Sequence, residues 1–328
     1  MKVRSLDSRD PDLARFCALE GPDALSPQDV HLHAPDLSLI VEDGAVPAAR
    51  CSLWWRATPT LPGGRVGLLG HYAERDAAAA ASLLAAACER LRAEGCELAV
   101  GPMDGNTWRR YRLLSWRGTD PPFFLEPDNP DDWPRHFEAA GFTPLATYYS
   151  SKCDDLAGYP ADAALAADMH AAGLRSRPID TARLERELGT LWRLATDAFT
   201  GGFLYTPVDE AEFRRMYAPR AAFARPELVR LIERQGQPIG FLFALPDMLQ
   251  AARGEPVDTV IFKTLAVARG HRRHGLANWI VDSMMVQARE LGFRHAVFAL
   301  MHESNPSRRL GRGRMREIRR YTLYARPL

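Results

Sequence analysis

The sequence predicts an α/β (α+β) chain of two tandem units, each a mixed, mostly antiparallel sheet with helices on both faces. Three observations carry this reading. At 328 residues the chain is about two domains long at roughly 150 residues each. Strand-like and helix-like periods alternate along both halves. Laid with Gly95 opposite Gly292, the halves also match one another: Leu68 falls opposite Leu265, Arg75 opposite Arg272, Ala80 opposite Ala277, and the strand through Val100 opposite the strand through Val297. One duplicated fold is the economical explanation.

In the first half, Leu37 to Glu42 and Ala48 to Trp55 read as strands joined by the hairpin signal Asp43-Gly44. Arg65 to Gly70 reads as another strand. A helix then runs from about Asp76, a residue suited to an N-cap, to Glu94. Leu83, Leu84, Ala87 and Leu91 share one side of it, and Gly95 stands in the C′ position. Glu97 to Gly101 returns as a strand. The proline- and aspartate-rich stretch Thr119 to Asp132 reads as a surface loop, followed by a short helix over Trp133 to Gly141 and a strand over Phe142 to Ser151. Lys152 to Pro160 is the expected linker. The boundary falls near residue 155, giving units 1–155 and 156–328.

The second half opens with a helical segment, Thr181 to Phe199, and a break at Gly201-Gly202. Leu228 to Arg234 and Pro238 to Leu245 are strands around the turn Gln235-Gly236. Val257 to Val267 is a longer strand, Ala268 to Arg273 a basic loop, and His274 to Leu291 a helix ended by Gly292. Its apolar residues Leu276, Ile280, Met284, Ala288 and Leu291 follow helical spacing, so that face belongs against a sheet. Arg294 to Met301 is the next strand.

The chemistry concentrates where that long strand stops and feeds the helix. A strand that ends abruptly before a helix aims successive free N–H groups, together with the positive end of the helix dipole, at one place, which is an anion site. Gly275 and Ala277 leave room for a phosphate beside the backbone, and Arg272, Arg273 and His274 add positive charge. The segment KTLAVARGHRRHGLANWI resembles the acyl-coenzyme A signature of the GNAT family of N-acetyltransferases, in which Arg or Gln is followed at the third and fifth positions by Gly and by Gly or Ala. Here those positions are Arg272, Gly275 and Ala277.

The resemblance implies that the loop and first helical turn, Arg272 through Leu276 to Ala277, grip the pyrophosphate of acetyl-CoA. It implies that the preceding strand splays from the next one, so that Leu265 and Val267 offer backbone groups to the pantetheine arm by β-type pairing. Asn305, in HESNPS, falls where the family places an asparagine near the pantetheine or pyrophosphate. In the first half Gly275 becomes Ala78 and Arg273 becomes Asp76, a carboxylate that caps the helix and repels an anion. That unit reads as a degenerate copy which contributes interface and a substrate wall.

The family's reaction is direct attack of a deprotonated amine on the thioester, with an acid available for the departing thiolate. The family's usual acid tyrosine has no counterpart in RRLGRGRMREI; Tyr321 and Tyr324 come later, on the final strand, where they also read as half-buried strand residues. Tyr321 is therefore the candidate acid. His302 and Glu303, just past the strand Arg294 to Met301, are the candidates for the base, acting through a water. Phe203 and Tyr205 in FTGGFLYTP fall in the acceptor-side region.

Composition excludes more than it selects. Forty-two basic against 41 acidic side chains give a nearly neutral chain, so charge predicts no partner. The last 25 residues nevertheless hold eight arginines, suited to a CoA phosphate, to an anionic acceptor or to an ordinary solvated face. Nucleic acid is not expected, because aromatics are not interleaved with the charges. Five scattered cysteines without metal-ligand spacing fit a reduced, cytoplasmic protein that needs no metal, and no apolar run is long enough for a membrane span. The expected activity is N-acetyl transfer from acetyl-CoA to a primary amine on a small molecule or peptide, by a chain that can form a homodimer. The alternative is a non-catalytic acyl-CoA sensor or interaction protein.

Overall fold

A computed structural model describes residues 1–328 except 8, 22, 23, 63 and 220–224. The first half contains β1 (Lys2–Leu6), α1 (Leu13–Ala18), α2 (Pro27–His33), β2 (Leu37–Asp43), β3 (Val46–Trp54), β4 (Val66–Glu74), α3 (Ala77–Ala93), β5 (Leu98–Gly101), β6 (Leu113–Trp116), α4 (Trp133–Ala139) and β7 (Thr143–Cys153). The second contains α5 (Ala163–Ala171), β8 (Leu174–Pro178), α6 (Leu184–Phe199), α7 (Glu210–Tyr217), β9 (Val229–Arg234), β10 (Gln237–Pro246), α8 (Met248–Ala252), β11 (Thr259–Val267), α9 (Leu276–Glu290), β12 (His295–His302) and β13 (Arg316–Pro327).

The expected sheets merge into one of 13 strands, in the order β1-β2-β3-β4-β5-β13-β7-β12-β11-β10-β9-β8, with β6 added on β13. Pairing is antiparallel except for β4 with β5 and β11 with β12. The order is symmetric about its centre. There, the last strand of each half crosses over: β13 lies between β5 and β7, and β7 pairs with β12 on its other side. Each half thus closes the other's sheet edge, which would otherwise expose a row of unpaired N–H and C=O groups. β7 runs to Cys153, through the start of the stretch read as a linker.

The repeat is visible in the topology but not at one constant register. Val66 with Leu98 and Thr259 with His295 occupy matching places in the two parallel pairs. Thr259, rather than Lys263, therefore corresponds to Val66. The difference is taken up after the strand, where Arg75 and Asp76 alone join β4 to α3, whereas residues 268–275 join β11 to α9.

Local chemistry explains the elements nearest this junction. Leu83, Leu84, Ala87 and Leu91 of α3 are fully buried against the sheet, and Gly95 takes φ 80° just beyond its end. On α9, Leu276, Ile280, Met284 and Ala288 are buried in a core shared with Leu242 and Phe298. Gln235 and Gly236 both have positive φ, the requirement of a two-residue hairpin of the primed type.

Candidate active site

The loop 268–275 is tied down against the end of α6. Arg269 donates its backbone N–H to Asp197 at 2.7 Å, and Arg272 Nη2 donates to the Ala198 carbonyl at 2.6 Å, near the end of α6. A cation suits that negative helix end. Gly275 then turns the chain into α9 with φ 79°, and no side chain caps this helix. The Leu276 N–H donates to the Arg273 carbonyl at 3.3 Å, and the next amides, of Ala277 and Asn278, are left to a ligand or solvent. A Cβ on Gly275 would stand 2.9 Å from Leu165 Cδ1 and 3.3 Å from Met169 Cε, so glycine is required here by its backbone and by α5 packed behind it. Arg273 and His274 are exposed, Ala277 is half-buried, and the Leu276 side chain is buried in the core.

Beside this helix end the sheet opens. β11 and β12 pair in parallel from Thr259 with His295 to Phe262 with Phe298. Beyond that, β11 stays on β10, and β12 follows β7 with a register shift between Phe298 and Met301. The Ala268 N–H donates to the Ile239 carbonyl at 2.8 Å, so strand alternation directs the backbone groups of Ala266 to β10 as well. Those of Leu265 and Val267 face the gap.

The corresponding corner of the first half is filled. Asp76 Oδ1 accepts from the N–H groups of Ala78 at 3.0 Å and Ala79 at 2.9 Å, the capping expected from the sequence. Past the paired Leu68 and Val100, the chain itself enters the gap: the Met103 N–H donates to the Leu69 carbonyl at 2.7 Å, and Asp104 Oδ1 accepts from the His71 N–H at 2.5 Å. The capped amides and the filled strand gap leave this half without a counterpart of the α9 corner.

Below the α9 corner, both halves enclose a cavity of about 1010 Å³ whose walls include Leu265, Arg272, His302 and Asn305. His302 sits at the end of β12 with its ring 5.0 Å from Tyr148 and 5.2 Å from Phe203. Its Nδ1 receives the Ser304 N–H at 3.1 Å and lies 2.8 Å from the Ser304 hydroxyl. A backbone N–H can only donate, so Nδ1 is the acceptor and the neutral ring carries its proton on Nε2. That nitrogen is buried without a partner. Burial lowers the His302 pKa, against the opposing pull of the Glu303 charge and with Arg112 adding to the fall, which favours the neutral ring.

The other candidates lie differently. Glu303 is exposed at the rim and accepts the Thr147 N–H at 3.1 Å, outside the cavity wall. Tyr321 is fully buried, its hydroxyl donating to Glu126 Oε1 at 2.7 Å and 3.2 Å from Ser150 Oγ; burial pushes its pKa up. It reaches the cavity only through Glu126, whose carboxyl burial also raises. Arg319 Nε lies 2.8 Å from the same carboxylate, close in distance but not aligned as a hydrogen bond. Asn305 caps the turn Pro306–Arg309, accepting the Ser307 N–H at 2.9 Å while its residue lines the cavity. Phe203 and Tyr205 both reach the wall.

Glu126, Arg112 and Tyr148 are cavity residues that the sequence did not mark. Glu126 stands in the proline-rich loop and Arg112 in the run Trp108-Arg109-Arg110-Tyr111-Arg112, neither of which has a motif spacing or an amphipathic period. The C-terminal arginine excess is largely absorbed within the fold: Arg312 pairs with Asp282 at 2.6 Å, Arg316 bridges Asp120 and Asp154, and Arg319 is wholly buried. Among the described residues, one triad, Glu74, Asp132 and His136, has metal-like spacing. His136 Nδ1 and Glu74 Oε1 already form a 2.9 Å hydrogen bond there. Among the described residues, no helix is long and apolar enough to cross a membrane.

Residues 188–311 match the family model described as acetyltransferase (GNAT) family. A protein named bacterial ceramide synthase, from Caulobacter vibrioides (strain NA1000 / CB15N), is 28% identical over 254 residues, covering 75% of this chain and 66% of that relative. The match thus spans just under two thirds of the relative's own length. A GCN5-related N-acetyltransferase from Sphaerobacter thermophilus superposes with a TM-score of 0.51 at 16% identity, covering 99% of this chain and 95% of that one. A tandem GNAT protein from the clavulanic acid biosynthesis pathway gives 0.51 at 15% identity, covering 99% and 98%. At these identities the likeness is one of fold.

Proposed function

We propose that the chain, whose residues 188–311 match the acetyltransferase (GNAT) family model, transfers an acyl group, acetyl in the simplest case, from acyl-CoA to a primary amine held in the shared cavity. The observation that carries this is the pairing of an uncapped helix end with an open strand gap in the second half, where the first half has both closed. Residues 272–277 would hold the pyrophosphate, and the backbones of Leu265 and Val267 would hold the pantetheine arm. Bound acyl-CoA supplies an activated thioester. The amine's nitrogen forms the new amide bond as the carbon–sulfur bond breaks, and the released thiolate takes up a proton.

His302, on the cavity wall, carries its proton on a buried Nε2 without a partner, a donor suited to oxygen or sulfur that gains negative charge during transfer. It does not present a free lone pair there, which moves it from the expected base to a donor. Glu126, with its pKa raised by burial, is the cavity carboxylate suited to receive the amine's proton. Tyr321 acts at one remove, through Glu126, and Glu303 stays at the rim, tied to the Thr147 backbone.

A second reading concerns the acyl chain. Phe262 and Phe298 stack at 4.9 Å on the cavity wall and Val281 lies beside them, an apolar lining that suits a chain longer than acetyl. A ceramide is itself an amide, so the name of the Caulobacter relative agrees with N-acylation. Single-turnover transfer from acetyl-CoA and from long-chain acyl-CoA to a panel of primary amines tests both. Product with any pair supports the enzyme. CoA binding without product from any pair selects the non-catalytic sensor. His302→Asn should lower the single-turnover rate about 100-fold with CoA affinity unchanged.

A further inference from the structure

Among the described residues, two arginines on the N-terminal wall of the cavity form no ion pair with a carboxylate, Asp104 acting on Arg50 only through its field. Arg50, on β3, is 3% exposed, and its Nε and Nη1 are buried without a hydrogen-bond partner. Arg112 is 6% exposed, with Nε and Nη1 in the same condition. Its Cζ lies 3.8 Å from the Tyr111 ring centroid and 4.2 Å from that of Tyr148, so the rings hold the guanidinium by its faces. Both arginines line the cavity that holds His302.

Nearby carboxylates are already occupied. Asp104 accepts the His71 N–H, Glu212 pairs with Arg109, and Glu126 is held by Tyr321 and Arg319. Burying a cation is costly unless an anion answers it, and buried donors without partners are rare in folded proteins. Two in one cavity wall are best explained by a partner that arrives from outside. The planar donor fork of arginine matches a carboxylate or a phosphate.

We infer that Arg50 and Arg112 form an anion site for a carboxylate or phosphate carried by the acyl acceptor, so that the acceptor is an amine with a negative charge of its own. This rests on the acyltransferase reading of the same cavity. The pyrophosphate corner at α9 lies on the other half's side and is a separate site.

Thermal melts in saturating CoA, which occupies the α9 corner, test the site directly. Inorganic phosphate and acetate are titrated against chloride at constant ionic strength. The wild-type melting temperature should rise with at least one of them, and which one separates phosphate from carboxylate. Arg50→Met and Arg112→Met should abolish the rise, while their melting temperatures without anion stay level or increase, because an unanswered buried charge has been removed. A wild-type protein indifferent to both anions overturns the inference, as do variants that melt lower yet still respond.

Transfer assays provide the second arm, with glycine, O-phosphoethanolamine and neutral ethanolamine as acceptors. An anionic acceptor should exceed ethanolamine by about tenfold or more in kcat/KM, and Arg112→Met should bring that ratio close to one. Preference for ethanolamine overturns the inference. Failure of CoA to bind would instead sink the acyltransferase reading, and the anion titration can then be read without CoA.

Discussion

At Asp76 and Gly275 the two halves part company. A carboxylate closes the amides of α3, whereas a left-handed glycine leaves those of α9 open. Because Gly275 also packs against Leu165, replacing it would strain the turn itself, and Ala277 is the better probe. Ala277→Asp should lower CoA affinity at least about tenfold, a loss of roughly 1.4 kcal/mol by calorimetry, with the melting temperature unchanged or raised, since an acid in the first turn suits the helix dipole. Asp76→Ala should cost about 1 kcal/mol in denaturant unfolding and gain no CoA binding, because the gap beside α3 stays filled by Met103 and Asp104.

A second residue-scale prediction concerns acid. His33 Nδ1 and His71 Nε2 share a 2.7 Å hydrogen bond, and burial depresses their pKa values to about 4 and about 3. Between the unfolded value near 6.5 and those folded values, the unfolded chain binds protons that the folded chain does not. Their contribution to stability is present above about pH 6.5 and is lost as pH falls toward 3. His71 has φ 48° at an irregularity within β4, which asparagine tolerates, so His71→Asn should keep the strand and flatten the fall in melting temperature between pH 6.5 and 4.

Among the elements, those with a strong local period were legible in the sequence. The helix read from Asp76 to Glu94 is Ala77–Ala93 with Asp76 as its cap, and the hairpin at Gln235-Gly236 forms at that place. The short pieces β1, β6, β8, α1, α2, α5, α7 and α8 escaped, because a handful of residues carries too little period to outweigh its loop-like neighbours. In the site, the α9 loop announced itself because its chemistry is local: small residues, charge and a strand end lie within one stretch. Arg50, Arg112 and Glu126 did not, since they become neighbours of His302 only through pairing between distant strands.

β13 shows the energetic weight of such pairing. Its Tyr321 and Leu323 are fully buried in a cluster with Val100, Leu114 and Tyr148. Leu323→Ala should cost about 2–5 kcal/mol, read from denaturant midpoints, and lower the transition of both halves together.

For the whole molecule, the exchange of β7 and β13 makes the halves one cooperative body. Calorimetry should show a single transition, and neither 1–155 nor 156–328 expressed alone should give a folded monomer by circular dichroism and size-exclusion chromatography. Produced together, the two pieces should assemble, because each carries the strand that the other's sheet lacks. The cavity then belongs to neither half. One supplies the anchored corner at α9, the other the arginine wall, and the swapped strands fix the distance between them.

That arrangement also sets an order of events during synthesis. The place between β5 and β7 stays vacant until Arg316–Pro327 has left the ribosome, so the early-made portion must wait, partly assembled, for the late one. Pausing or premature termination before residue 316 would therefore release a chain with an open seam through its middle, a natural substrate for chaperones or proteolysis.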